Sequence, residues 1–140
     1  MKSEKTPLFR LASAYWGAML LVSIANGALR DFTYGPLMPE INAHQVSTLC
    51  SVLLLGTIIR HFCRRSDLKR GPRALSVGGG WVTLTVAFEF LFFHYVGGHA
   101  WSALLANYDL AAGRLWVLLL LWIGLAPSLF ARPATPLEQP

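Results

Sequence analysis

Apolar positions fall into four blocks, and charge is nearly confined to the gaps between them. Residues 11–29 and 41–59 are 19-residue blocks without Asp, Glu, Lys or Arg. Residues 74–108 form a 35-residue block in which Glu89 is the only charge, and residues 115–131 form a 17-residue block with none. At ~1.5 Å of rise per residue, such blocks cover roughly 25–29 Å as helix, close to the hydrocarbon thickness of a bilayer. The pattern predicts an all-α integral membrane four-helix bundle, with helices near 8–30, 43–62, 75–96 and 112–131. Gly35-Pro36 and Pro39 break the first gap, and Gly71-Pro72 breaks the second. Pro133, Pro136 and Pro140 predict a flexible tail over 132–140.

One stretch is apolar but too short to span. Trp101, Leu104, Leu105 and Tyr108 stand at helical spacing, with Ser102, Asn107 and Asp109 elsewhere. This predicts a short amphipathic helix lying in the outer interface, bent away from the third span at Gly97-Gly98. Such a helix is either a tether between spans or a lid over an outward-facing pocket.

Charge sets the expected orientation. Lys2, Lys5, Arg10, Arg60, Arg64, Arg65, Lys69, Arg70, Arg73 and Arg132 fall on one side, and only Arg30 and Arg114 on the other. The positive-inside rule then puts both termini and the middle loop in the cytoplasm. The net charge of +5 is explained by this arrangement and by anionic headgroups, so no nucleic-acid partner is expected. Only 14% of residues are charged, well below a soluble domain, and residues 1–131 make one transmembrane domain. The first apolar run is longer than a signal-peptide core, so it is expected to stay as a span. Cys50 and Cys63 lie ~20 Å apart on one predicted helix and cannot bridge within the chain.

Polar residues at membrane depth are where function would sit. A charge there costs at least ~2.5–3.5 kcal/mol on insertion scales. Glu89 shares a helical face with Gly78, Val82 and Thr85; Asn26 and Arg30 share one with Trp16 and Ser23; His44, Ser47, Thr48 and Ser51 share a third. Turning these faces together predicts a polar funnel opening outward. Its candidate ligand-binding residues are Asn26, Arg30, His44, Thr48, Ser51 and Glu89, with Glu89 facing Arg30. The same residue types also serve as plain hydrogen-bonding glue between spans. A carboxyl at that depth without a close cation is a candidate proton carrier.

Other features have blander readings. His44 and His94 lie at similar shallow depth and make a pair of candidate haem ligands, although His94 points away from the Glu89 face. No cofactor is otherwise implied. Trp16, Trp81, Trp101, Trp116 and Trp122 fit an interfacial aromatic belt. Gly78-Gly79-Gly80 fits close helix contact, because no strand precedes it and no phosphate-binding Lys follows. No catalytic residue can be picked out: Ser47, His44 and Glu40 are near in sequence, but that spacing is common.

The runs Asn26-Gly27-Ala28-Leu29-Arg30 and Ala43-His44-Gln45-Val46-Ser47-Thr48 resemble a pattern in small uncharacterised bacterial four-helix inner-membrane proteins. The resemblance covers mainly the first two helices. It implies a bacterial inner-membrane location and four spans, and no activity. The expected role is a non-enzymatic membrane subunit or ligand-binding protein, with membrane lipids as neighbours and a homo-oligomer or larger membrane complex as a further partner. The alternatives are a proton-coupled or small-solute transporter using Glu89, a lipid-modifying enzyme using Arg30, His44 and Glu89, and a haem-binding protein.

Overall fold

The structure, a computed structural model, describes residues 7–134. Those residues are helical almost throughout. Helix α1 spans Leu8–Phe32, α2 Glu40–Ser66 and α3 Pro72–Leu91; the short α4 spans Trp101–Ala106, and α5 spans Trp116–Phe130. Gly35–Leu37 and Leu110–Ala112 form single 3-10 turns. Three segments, Leu8–Leu37, Glu40–Ser66 and Pro72–Val96, are long and apolar enough to cross a membrane. The fourth apolar helix, expected from residue 112, starts at Trp116 and has 15 residues. Gly113 delays it by adopting a left-handed conformation with φ of 85°.

The third helix also ends earlier than its apolar run suggests. After Leu91 the chain widens into a π turn over Phe92–Val96, with the Gly97 N–H reaching the Phe92 carbonyl at 3.1 Å. Gly98 then turns at φ of 71°, and α4 begins. The predicted bend at Gly97-Gly98 and the predicted short helix are both present.

Packing runs α1–α2–α5–α3 around the bundle. The closest approach is between α3 and α5, where Gly78 faces Gly124: a Cβ on Gly78 would lie 1.9 Å from the Gly124 carbonyl oxygen. The last two helices are therefore locked by backbone contact that only glycine permits. Gly56 gives α2 the same freedom against the Trp122 ring of α5. Helices α1 and α3 stand further apart and are joined by large side chains. The Trp81 indole donates to the Ala12 carbonyl at 2.9 Å, and the Trp16 indole to the Thr85 hydroxyl at 3.2 Å. Met19, Leu55, Ile59, Phe62, Trp81, Leu119 and Ile123 are buried between the helices. Leu21, Ile24, Leu53, Leu75, Leu84, Leu121 and Leu125 cover the outside. An apolar exterior of this extent suits lipid better than water.

At one end the chain is tied to itself. Asp67 ends α2 in a left-handed conformation (φ 52°), and the Leu68 N–H returns to the Cys63 carbonyl. Leu68 and Arg70 then exchange backbone hydrogen bonds with Arg132, at 2.9 Å each, and the Arg132 guanidinium meets Asp67 at 2.8 Å. So the tail expected to be loose from Arg132 onward starts with an anchored residue. Residues 135–140 of that tail lie outside the described residues.

Candidate functional site

The polar residues of the opposite end fall into three groups. The first is a seam between α1 and α2. Helical spacing puts Ser47 and Ser51 one turn apart on α2, facing Asn26 on α1. The Asn26 amide nitrogen donates to the Ser47 carbonyl and the Ser51 hydroxyl at 2.8 Å each, and lies 3.2 Å from the Ser47 hydroxyl. All three side chains are buried. This is interhelical glue, worth ~0.6 kcal/mol per contact on average in membrane proteins. Thr48 is not part of it: its hydroxyl turns back to the His44 carbonyl at 2.8 Å.

The second group is a rim above that seam. The Arg30 Nε donates to Asp31 at 2.8 Å, and its Nη1 lies 3.3 Å from the His44 Nδ1. A guanidinium only donates, so Nδ1 accepts and the neutral ring carries its proton on Nε2. That nitrogen faces Glu40 at 3.8 Å. Arg114 reaches the same Glu40 oxygen at 3.6 Å. Both distances exceed hydrogen-bond range, and the Glu40 side chain is 75% exposed. The Gln45 amide fixes this corner by donating to the Gly113 carbonyl at 3.1 Å.

The third group surrounds Glu89, which is buried on α3. The Tyr108 hydroxyl donates to its Oε2 at 2.7 Å and the Trp116 indole to the same oxygen at 2.9 Å. The expected Glu89–Arg30 pair does not form. Helix α1 pairs with α2, whereas the Glu89 face of α3 turns to α5 and the connecting loop, so the two residues sit on different seams. Hydrogen bonds to a charged group contribute about 1.5–3 kcal/mol each, so two donors offset the insertion cost of one carboxylate. Burial and the bond to Glu89 push the Tyr108 phenol up to about 12.

The single funnel expected from the sequence is thus divided. Asn26 and Ser51 meet in the seam, Arg30 and His44 meet at the rim, and Glu89 stands apart under the loop. Glu40, Arg114, Tyr108 and Trp116 were not among the expected site residues. Tyr108 carried a partial signal, because it continues the spacing of Trp101, Leu104 and Leu105, but it sits in the turn after α4 and not on that helix. The tryptophans are a further correction. Trp16, Trp81, Trp116 and Trp122 all donate into the bundle, the last to the Val52 carbonyl at 3.0 Å. Trp81 is buried and the other three are half-buried, and all four use the indole N–H to bridge helices. His94 stacks on Trp101 with ring centroids 3.6 Å apart, and its Nδ1 meets the His99 carbonyl at 2.8 Å. His44 has different neighbours, Arg30 and Glu40. Among the described residues no cluster of three or more His, Cys, Asp or Glu side chains is placed to hold a metal ion. No family model, curated protein or solved structure matches the chain.

Proposed function

We propose that this chain is a small non-enzymatic bacterial inner-membrane protein, a membrane subunit or ligand-binding protein, that presents an anion-binding rim on the outer side. Four crossings with both termini inside fit the chain best. Helix α5 leaves the loop beside α2's start, where Arg114 meets Glu40, and arrives at Arg132 beside Lys69. Its flanking residues thus lie beside the two ends of α2, which supports a fourth crossing despite its 15 residues. The end holding Lys69, Arg70 and Arg132 is also the basic end, which supports placing it in the cytoplasm.

The observation that carries the reading is the approach of His44 on α2 and Arg114 in the loop before α5 to one loosely held carboxylate, with Arg30 of α1 behind His44 and paired to Asp31. A carboxylate or phosphate from a ligand or a neighbouring subunit takes the place of Glu40, and the guanidinium forks match either group. Thermal melts at constant ionic strength test this. Inorganic phosphate or a small carboxylate should raise the melting temperature of the wild type, as ligand linkage requires, and leave the Arg30→Ala/Arg114→Ala form unmoved. A flat wild-type response across such anions sinks the ligand-binding reading.

A second reading has one observation behind it. The two partners of the Glu89 carboxyl are neutral donors, Tyr108 and Trp116, and no cation lies within 4.0 Å among the described residues. That is the environment of a proton carrier in a small-solute transporter. Under this reading Glu89→Gln abolishes pH-dependent transport in a chain that still folds; equal transport across pH by both forms removes it.

A further inference from the structure

A groove runs between α1 and α3 at the basic end, well away from the rim. It encloses about 230 Å³ and is lined on α1 by Leu8, Ala12 and Ser13 and on α3 by Arg73, Gly80 and Leu84. Its existence follows from the fold. Helices α1 and α3 are held apart by Trp81, which is buried, and whose indole reaches across to the Ala12 carbonyl. The Trp81 ring is thus the floor. Small residues keep the walls back, and a Cβ on Gly80 would meet nothing within 4 Å. From Arg73 to Leu84 the groove follows α3 for ~16 Å at 1.5 Å per residue. The cation sits at the mouth, at the first turn of α3, and the lining inward of it is nearly all apolar. Among the described residues Arg73 has no carboxylate within ion-pairing distance.

We infer that this groove holds one acyl chain of an anionic phospholipid from the cytoplasmic leaflet, with the lipid phosphate at Arg73. The match is of polarity in order along one axis: a negative head and then a long apolar chain, against a cation and then an apolar slot. A second copy of this chain fits less well. The amino-acid sequence holds seven Asp and Glu against twelve Lys and Arg, and the groove's end of the bundle is the basic one, so a copy would bring like charge to Arg73. The inference rests on the membrane-spanning reading and not on the anion-binding rim, so either can fail alone.

The test is native mass spectrometry of the full chain released from nanodiscs of mixed phosphatidylcholine and phosphatidylglycerol. The wild type should retain one phosphatidylglycerol in preference to phosphatidylcholine. Gly80→Leu fills the slot and should lose the retained lipid, whereas Gly79→Leu should keep it, because Gly79 is equally open but outside the groove. Arg73→Gln should lower the preference for phosphatidylglycerol about fivefold, the ratio equivalent to the ~1 kcal/mol typical of one basic side chain at an anionic surface. Equal retention of the two lipids by the wild type overturns the proposal. So does retention unchanged in Gly80→Leu, or a change of oligomeric state in that variant, which would make a second copy the occupant.

Discussion

At the scale of single residues, the chain solves one problem repeatedly: a polar group inside an apolar helix must find a partner on another helix. Glu89 is the costliest instance, and Tyr108 and Trp116 are its answer. Glu89→Gln keeps one acceptor oxygen and should cost about 1 kcal/mol, whereas Glu89→Leu strands both donors and should cost about 2–4 kcal/mol in unfolding measured by circular dichroism. The same contact predicts an alkaline signature. Tyr108 holds its proton to about 12 in the folded chain against an ordinary value of 10.0. Its contribution to stability is complete below pH 10 and falls away as pH rises towards 12, because the unfolded chain releases that proton first. Tyrosinate absorbance should show one late-titrating tyrosine that disappears in Tyr108→Phe and moves down in Glu89→Gln. Arg30 gives the complementary test. Because it engages Asp31 and His44, a double-mutant cycle of Arg30→Ala with Glu89→Gln should show a coupling below about 0.5 kcal/mol. A larger value would mean that the two seams communicate. Glu89, Arg30 and His44 were legible in the sequence, a lone Glu in 35 residues being conspicuous, whereas Tyr108 and Trp116 were not singled out as site residues. Nor was their grouping legible. A helical wheel gives each residue a direction on its own helix, but the partner of Glu89 depends on which helix neighbours which.

At the scale of elements, the lengths of apolar blocks were enough to find the four longer helices and residue spacing found α4, and their ends were set by particular residues. Pro39 and Pro72 open α2 and α3, and Gly113 holds back α5. The π turn over Phe92–Val96 left no sequence signal, because Phe, His, Tyr and Val read equally well as ordinary helix. Helix pairing was legible in part. Gly78-Gly79-Gly80 announced a close contact, but three adjacent glycines point in three directions, and only Gly78 meets another backbone. This distinction is testable. A Cβ at Gly78 lies 1.9 Å from the Gly124 oxygen, so Gly78→Ala must separate α3 from α5 and should cost at least the 1–3 kcal/mol (approximate) of an overpacked core. Gly79→Ala meets nothing and should stabilise by about 0.5–1 kcal/mol through helix propensity. If the two substitutions behave alike in detergent unfolding, α3 and α5 do not pack as described.

At the scale of the whole molecule, two ties close the bundle at opposite ends. The Lys69–Arg132 bridge joins the middle loop to the end of α5, and the Tyr108–Glu89–Trp116 contact joins the long loop to α3 and α5. Without the first, a 15-residue α5, ~22 Å long, would be read as short of a span. With it, the helix has a fixed start and a fixed end. Neither tie is visible from composition, because each joins residues about 20 to 65 positions apart, and only the path of the chain brings them together. The path itself is open to a direct test by thiol labelling. Cys63 is a poor reporter: it is buried under Pro127 and should resist reagent from either side while the chain is folded. Gly35 is another, since a Cβ there would lie 2.7 Å from the Arg30 carbonyl oxygen. Single cysteines at Leu37, at Asn107 and at Lys69, in a chain carrying Cys50→Ser and Cys63→Ala, avoid both faults. Leu37 is 83% exposed and follows α1, and Asn107 follows α4. In sealed cells an impermeant reagent should label Leu37→Cys and Asn107→Cys, and label Lys69→Cys only after permeabilisation. Labelling at Lys69 alone would invert the molecule, turning the Arg30–His44–Arg114 rim to the cytoplasm. Labelling of Leu37 without Asn107 would separate the two loops across the membrane, and the four-crossing path would be wrong.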